Sequence, residues 1–232
     1  MRLTNYRHLI LNKLFLFGHI FKVSKKHKQK GSKQDICSVI MNMKNIFYYE
    51  ALSGKSSLKF SRRLLDMMNS ADINGRDMVL LCVGSDRSTG DSLGPLIGHK
   101  LQRILRNKVY IYGTLNEPVH AVNLSTVVEN IYEIHKEPFI IAVDASLGTK
   151  SHIGYVTLSD TPLRPGLGVK KSLPEVGDIC ITGIVNLSGM MDNLLLQSTR
   201  LSTVMELADF ISIGIFIALH SYSSSSITCI SR

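Results

Sequence analysis

The sequence predicts an α/β protein, a three-layer α/β/α sandwich built around a mostly parallel sheet. Short apolar runs typical of buried strands, such as MVLLC and FIIAV, alternate along the chain with segments whose apolar residues recur at helical spacing. Such alternation predicts parallel strands joined by right-handed crossovers, with helices on both faces of the sheet. In sheets of this kind ligands bind beyond the carboxyl ends of the strands, which is where a site is expected.

The individual elements follow from the spacing of apolar residues and from the turn residues between them. Runs of bulky apolar residues predict strands over 78–84, 109–113, 139–143, 154–158 and 178–185. Apolar residues at a period near 3.6 predict helices over 57–70, 92–106, 121–134, 190–201 and 203–219. We expect the strand over 154–158 to lie near an edge and to pair antiparallel. The segment over 159–177 is rich in Pro and Gly, and a loop of this length is often a lid or a binding loop.

Charge divides the 232-residue chain unevenly. The net charge is +9, but residues 1–42 contain nine Lys or Arg and one Asp, which is +8 and leaves about +1 for the rest. We therefore predict a basic extension over 1–45, either disordered or non-native, a single domain over 46–219 and a serine-rich tail over 220–232. The domain lacks the spread of positive charge typical of nucleic-acid binding, so no direct nucleic-acid partner is expected.

The four cysteines are far apart and form no C-x-x-C pair, which indicates neither a disulfide framework nor a zinc site. This pattern fits a reducing cytoplasm. After residue 45 no stretch contains an unbroken run of 18 or more apolar residues, so no stable membrane insertion is expected. The extension over 1–42 interrupts its apolar part with Lys13 and His19, which is unlike a secretory signal.

Two aspartates are the leading candidates for catalysis. Asp91 and Asp144 each follow a predicted buried strand, so both are expected at the same edge of the sheet. Two carboxyls held together cannot both ionise freely, which leaves one acid and one base at neutral pH. Such a pair suits the activation of water against a carbonyl group. The structural alternative is that each aspartate only caps the helix that follows it.

Two other functions compete for the same loop. A phosphate-binding loop needs four residues between its glycines and then a lysine, whereas five residues separate Gly84 from Gly90 and Asp91 follows. The stretch Gly90-Asp91-Ser92-Leu93-Gly94 matches the GDSL pattern of a family of serine esterases. Against this, the chain has no Asp-x-x-His near its end. A GDSL-like esterase is therefore kept as an alternative.

Several further residues are expected to bind substrate at the same edge. Asp86 and Arg87 lie on the loop that carries Asp91, and Glu117 and His120 follow the second strand in the stretch NEPVH. Each of these is also an ordinary residue of a solvated loop, so these roles are hypotheses.

With these residues identified, the chain resembles a known family. The stretches VGSDRSTGDSLGPLIG, GTLNEPVHAVNL, AVDASLG and GVKKSLPEVGDICITGIVNLSG look like the spore proteases of endospore-forming bacteria, of the YyaC type. The resemblance covers about residues 75–218. This type is similar to the spore germination protease and, more distantly, to the hydrogenase maturation endopeptidases, which implies a fold of the phosphorylase/hydrolase-like kind.

The resemblance also implies roles for particular residues. In the germination protease, one catalytic aspartate precedes a Leu-Gly-Pro motif and a second ends a strand, and these roles fall on Asp91 and Asp144. Maturation endopeptidases bind nickel partly through a His in an H-x-x-G motif, but this chain has Asn186 at that position. Because an amide is a poor ligand for such a metal, no metal and no cofactor are expected, and Asn186 is predicted to line the site.

Together these observations predict a cytoplasmic peptidase of the sporulating cell or spore interior that uses a carboxylate pair. The resemblance implies a protein or peptide substrate and, loosely, the small acid-soluble spore proteins. The alternative of another class is a non-catalytic sporulation protein that keeps the fold and binds a peptide.

Overall fold

The computed structural model describes residues 46–51, 56–71, 73–105, 109–164 and 175–228. The predicted extension over 1–45 and the centre of the loop over 159–177 lie outside these residues. All described residues belong to one compact unit.

Six strands form a single mixed sheet. Their bounds are β1 Ile46–Glu50, β2 Met78–Cys82, β3 Tyr110–Tyr112, β4 Phe139–Gly148, β5 Tyr155–Ser159 and β6 Ile179–Leu187. The order across the sheet is β1-β5-β6-β4-β2-β3. The four strands β3, β2, β4 and β6 run parallel, and β5 pairs antiparallel with both β6 and β1. The parallel centre explains why β2 and β4 begin as nearly unbroken apolar runs, since both of their faces are covered.

Helices cover both faces of this sheet, which confirms the predicted three layers. Their bounds are α1 Ser57–Ser70, α2 Leu93–Gln102, α3 Leu124–Ile134, α4 Asp192–Gln197 and α5 Leu201–Thr228. Helices α1, α2 and α5 share one apolar core with alternate residues of the central strands. Helix α3 packs a smaller core on the opposite face through Leu124, Val128 and Ile131. Successive residues of the central strands contribute alternately to the two cores, because their side chains point to opposite faces of the sheet.

Most predicted elements are present, with three differences that have physical causes. Strand β1 was not predicted, although Ile46–Glu50 begins with four apolar or aromatic residues, because the run is short and directly follows the basic extension. Strand β4 continues five residues past Val143, since its second half pairs with the long strand β6. The helix predicted over 190–201 is reduced to α4, because the hydroxyls of Ser198 and Thr199 bond to the carbonyls of Leu194 and Leu195 and end the helix there.

Helix α5 is the longest element and continues to Thr228, through residues predicted as a serine-rich tail. Its stretch Leu201–Ser223 is long and apolar enough to cross a membrane by length and composition, and half of that stretch is buried inside the fold. Gly214 lets α5 approach α1, because a Cβ at this position would collide with the ring of Phe60. Lys100 of α2 pairs with Asp209 of α5 at 2.8 Å. We read α5 as the core helix of this face.

The amino ends of the central strands are tied together by Arg76. Its guanidinium donates to the carbonyls of Glu137 and Pro138 and pairs with Asp178 at 3.2 Å. The second oxygen of Asp178 accepts the Ile140 N–H at 2.8 Å. These contacts fix the starts of β2, β4 and β6 relative to one another and leave the opposite edge of the sheet as the place for a cavity.

Candidate active site

The central group of the site is Asp144, which lies within β4 rather than at its end. The strand changes character at this residue, from five buried residues to five that are partly exposed. Asp144 pairs with Thr182 of β6 in the parallel register, and its Oδ1 accepts the N–H of Ala145 at 2.8 Å. A residue in mid-strand caps no helix, so the capping alternative does not apply to Asp144.

Asp91 reaches the same region from the loop after β2. It lies in a short 3-10 turn, Gly90–Ser92, that leads into α2, and the helix cap makes no side-chain hydrogen bond. Gly84 makes this loop possible. It has a φ of +143°, and a Cβ there would collide with the backbone carbonyl oxygen of Asp91. The Ser85 N–H donates to that carbonyl at 3.1 Å, so the loop folds back on itself and holds Asp91 over the sheet edge.

The two carboxyls interact electrostatically. Burial raises the pKa of Asp144 well above its ordinary value, and the negative charge of Asp91 raises it further, against the opposing hydrogen bond from Ala145. Burial also raises the pKa of Asp91, whereas the Ser85 N–H and the charge of His120 act to lower it. The pKa of Asp144 is therefore raised more strongly than that of Asp91, so Asp91 is the first of the two carboxyls to ionise as the pH rises.

His120 is a basic residue near the two aspartates. Its backbone N–H donates to Asn123 Oδ1 at 2.8 Å, and its Nδ1 accepts the N–H of Val122 at 3.3 Å. His120 is partly buried, and these contacts hold it within its own loop.

A cavity of about 670 Å³ contains these groups. Asp91, His120 and Asp144 all contribute to its wall, and so do Pro162, Leu163 and Arg164 from the described start of the Pro- and Gly-rich segment. The two ends of that segment are joined by a β-bridge between Leu163 and Val176 and by an ion pair of Arg164 with Glu175 at 2.8 Å. The described start of the loop therefore forms one side of the cavity, and its described end pairs with that start.

The remaining predicted site residues lie elsewhere. Asp86, Arg87 and Glu117 are exposed and do not line the cavity. Asn186 does not line it either, because its amide is engaged: Nδ2 donates to the Leu195 carbonyl at 2.8 Å and to Thr199 Oγ1 at 3.2 Å. Oδ1 accepts the N–H of Leu187 at 2.8 Å. Asn186 thus holds α4 in place. Helix α4 lines the cavity, and the Asn186 side chain lies behind it.

Sequence reasoning missed the polar residues that surround Asp144. Thr182 and Ser146 line the cavity; Ser146 Oγ donates to Thr182 Oγ1 at 3.3 Å, and Thr182 Oγ1 lies 2.7 Å from Thr157 Oγ1. Cys180 also lines the cavity, where burial and then the charge of Asp144 raise the pKa of its thiol to about 12. A thiol with this pKa is protonated at neutral pH and is not the nucleophile. Only the pairing of β4, β6 and β5 brings these residues together.

The esterase alternative does not fit this geometry. Ser92 is 7% exposed, its Oγ donates to the Thr89 carbonyl at 2.7 Å, and it is not part of the cavity wall. A nucleophile needs a base within hydrogen-bond reach and an open approach to substrate. In the part of the chain that the structure describes, no group of three or more His, Cys, Asp and Glu residues could hold a metal ion.

The fold and the cavity define a three-layer α/β protein with two interacting aspartates above the carboxyl ends of its parallel strands. Residues 48–214 match the model of a family described as a protein of unknown function, DUF1256, and the chain belongs to this family.

Comparison with individual proteins agrees with the motifs. Over 141 residues the chain is 51% identical to the uncharacterized protein YyaC of Bacillus subtilis, a match that spans 61% of this chain and 69% of that protein. This confirms the resemblance to the YyaC type. Among solved structures, the chain is similar to a NiFe hydrogenase maturation protease, HycI from Thermococcus kodakarensis. That match has 15% identity and a TM-score of 0.42, and it covers 66% of this chain and 99% of that protein.

Proposed function

We propose that this protein is a peptidase of sporulating cells that hydrolyses peptide bonds of spore proteins with the pair Asp91 and Asp144. One observation carries the proposal. The two carboxyls line one cavity, and the charge of Asp91 raises the pKa of Asp144. A pair in which one carboxyl is ionised and the other protonated holds both the base and the acid that amide hydrolysis requires.

In the proposed reaction the ionised Asp91 removes a proton from a water molecule, and the resulting hydroxide attacks the carbonyl carbon of the peptide bond. The protonated Asp144 donates a hydrogen bond to the carbonyl oxygen as negative charge develops there. The proton taken by Asp91 then passes to the leaving nitrogen, the C–N bond breaks, and the products are a carboxylic acid and an amine. No group outside the pair, the water and the peptide is needed to balance the reaction.

The surroundings of the pair support this division of roles. The Ser85 N–H and the charge of His120 both act to lower the pKa of Asp91 and so favour its charged form. Asp144 lies deeper, between β2 and β6, where a charge is poorly solvated. His120 belongs to the proposed site because it lines the same cavity and because its positive charge, when present, acts to lower the pKa of Asp91.

The test is cleavage of purified small acid-soluble spore proteins by the full chain, followed by electrophoresis and mass spectrometry. We expect wild-type protein to produce discrete fragments, and Asp91→Asn and Asp144→Asn to abolish them. His120→Gln should leave slower cleavage. Asp86→Asn is a matched control, because it removes an acid from the same loop outside the cavity, and it should cleave at the wild-type rate.

Other outcomes identify the other functions. Stoichiometric binding of the spore protein without fragments would favour the non-catalytic binding protein. Fragments that persist in both aspartate variants would contradict the carboxylate pair. Covalent labelling of Ser92 by a fluorophosphonate would support the GDSL-like serine esterase instead.

A further inference from the structure

One serine hydroxyl in the cavity wall has no hydrogen-bond partner among the residues that the structure describes. In the part of the chain that the structure describes, three buried side-chain polar atoms make no hydrogen bond: Ser88 Oγ, His99 Nδ1 and Ser212 Oγ. Of these three residues only Ser88 lines the cavity. It lies on the same loop as Asp91, and its backbone carbonyl accepts the N–H of Ser92 at 3.0 Å, which fixes the position of its Cα.

An unpartnered buried hydroxyl is unfavourable in the free protein. A buried polar group that makes no hydrogen bond loses its hydration and gains nothing in return. Structures keep few such groups, and a functional site is one of the reasons for keeping one. A rotation of the Ser88 side chain to another staggered rotamer changes where its hydroxyl lies while the backbone stays fixed.

The chemistry of the cavity indicates what this hydroxyl would bind. Asp91 in its ionised form only accepts hydrogen bonds, so it binds water or a donor group. A peptide bond also presents a carbonyl oxygen, which needs a donor, and a neutral hydroxyl is a donor that does not neutralise the nearby carboxylate. Ser88 has a hydroxyl hydrogen that no described residue accepts.

We propose that the Ser88 hydroxyl is a substrate-binding group that donates a hydrogen bond to a backbone carbonyl oxygen of the bound peptide. The ligand class is therefore an extended polypeptide recognised through its main chain, not through one particular side chain. This inference rests on the proposed function for its substrate, but it concerns binding and is measurable without turnover.

The experiment compares Ser88→Ala with Ser212→Ala in the full chain. Both substitutions remove an unpartnered hydroxyl, so both should raise the midpoint of thermal unfolding, by about 2–4 °C. Only Ser88→Ala should also lower kcat/KM for the small acid-soluble spore protein, by about 5- to 20-fold, as expected for one lost hydrogen bond. Ser212 lies on α5 away from the cavity, so Ser212→Ala should keep the wild-type kcat/KM.

A substrate-binding role for Ser88 is identified by two opposite effects of Ser88→Ala, a higher unfolding midpoint and a lower kcat/KM. An unpartnered serine with no role in binding would behave like Ser212, with a higher unfolding midpoint and an unchanged kcat/KM in the alanine variant. An unchanged kcat/KM in Ser88→Ala would therefore overturn the inference. A lower unfolding midpoint would overturn it too, because it would show that the Ser88 hydroxyl has a partner in the free protein. If wild-type protein binds the spore protein without cleaving it, the proposed function fails. The role of Ser88 is then tested by the dissociation constant, measured by calorimetry, in place of kcat/KM. Weaker binding by Ser88→Ala alone would support the inference, and equal binding by both variants would overturn it. If wild-type protein neither binds nor cleaves, both proposals fall.

Discussion

Asp144 of β4 stands directly opposite Thr182 of β6 in the parallel pairing of the two strands. Thr182 in turn stands opposite Thr157 of β5, and the two hydroxyl oxygens lie 2.7 Å apart. A row of two neutral hydroxyls, on β6 and β5, therefore lies in line with Asp144 across the sheet. Because a hydroxyl can both donate and accept, either member of this row can be the donor in the hydrogen bond between them.

The first prediction concerns this row of hydroxyls. Thr182→Val and Thr157→Val should each lower the free energy of unfolding by about 1–2 kcal/mol, because each removes the hydrogen bond between the two hydroxyls. The double variant should cost less than the sum of the two, since it removes both groups and leaves neither unpartnered. Urea denaturation of the four proteins measures the difference. Additive effects would show that the hydroxyls do not depend on each other.

The second prediction concerns the pH dependence of stability. Because the folded-state pKa of Asp144 lies well above 3.8, the folded protein keeps a proton that the unfolded chain releases. The free energy of unfolding should therefore fall as the pH rises from about 4 to the folded pKa, by about 1.4 kcal/mol per pH unit for one proton. Below that window both states are protonated and the penalty is absent.

Asp144→Asn removes this proton exchange. The variant should be more stable than wild type at and above neutral pH, and its stability should decline less over the window above pH 4. Asp91 contributes a further decline in both proteins, since its pKa is also raised. Denaturant unfolding of wild type and Asp144→Asn between pH 4 and pH 9 measures the two curves, and parallel curves would contradict the raised pKa.

The third prediction concerns Asn186. Asn186→Ala should lower the free energy of unfolding by about 1–3 kcal/mol, because the Leu195 carbonyl and the Leu187 N–H lose their partner. Amide hydrogen exchange should become faster in α4, which this side chain holds against β6. Asn193→Ala is the matched control: Asn193 is exposed on the same helix, and its replacement should change stability by less than about 0.5 kcal/mol. Equal exchange rates in the two variants would argue against the anchoring role.

The fourth prediction concerns the contact between α5 and α1. Replacing a glycine by alanine within an exposed helix stabilises it by about 1 kcal/mol. At position 214 the new methyl group would meet the ring of Phe60, so Gly214→Ala should instead destabilise the protein by about 1–3 kcal/mol. Adding Phe60→Leu should recover part of this loss relative to Phe60→Leu alone. Thermal and denaturant unfolding test both statements, and a more stable Gly214→Ala would show that the helices shift apart at little cost.

Much of the fold follows from local patterns. The run from Met78 is apolar because β2 is covered on both faces, and the helical spacing in α1 and α3 matches the sides that they bury. Strand β1 was not predicted, because five residues that directly follow a basic extension are too short a run to identify a strand by themselves. The antiparallel pairing of β5 agrees with its predicted place near an edge.

The residues of the candidate site were also predicted only in part from the sequence. Asp91 and Asp144 were identifiable because each lies where a buried strand gives way to polar residues. The predictions for Asp86, Arg87, Glu117 and Asn186 depended on proximity along the chain, and the structure places these side chains outside the cavity. Loop residues beside a catalytic candidate point in several directions, and the direction is fixed by contacts with distant elements, as Leu195 and Thr199 fix Asn186.

The sequence by itself determined the alternation of strands and helices, the division of charge and the two aspartates, because these depend on residue type and on spacing within one segment. The tertiary structure decided that Thr182, Thr157 and Ser146 stand beside Asp144, that Asn186 faces α4, and that Ser88 lines a cavity without a partner. These relationships join residues from separate strands and loops, and they arise only when the strands pair in one register and the helices close over them.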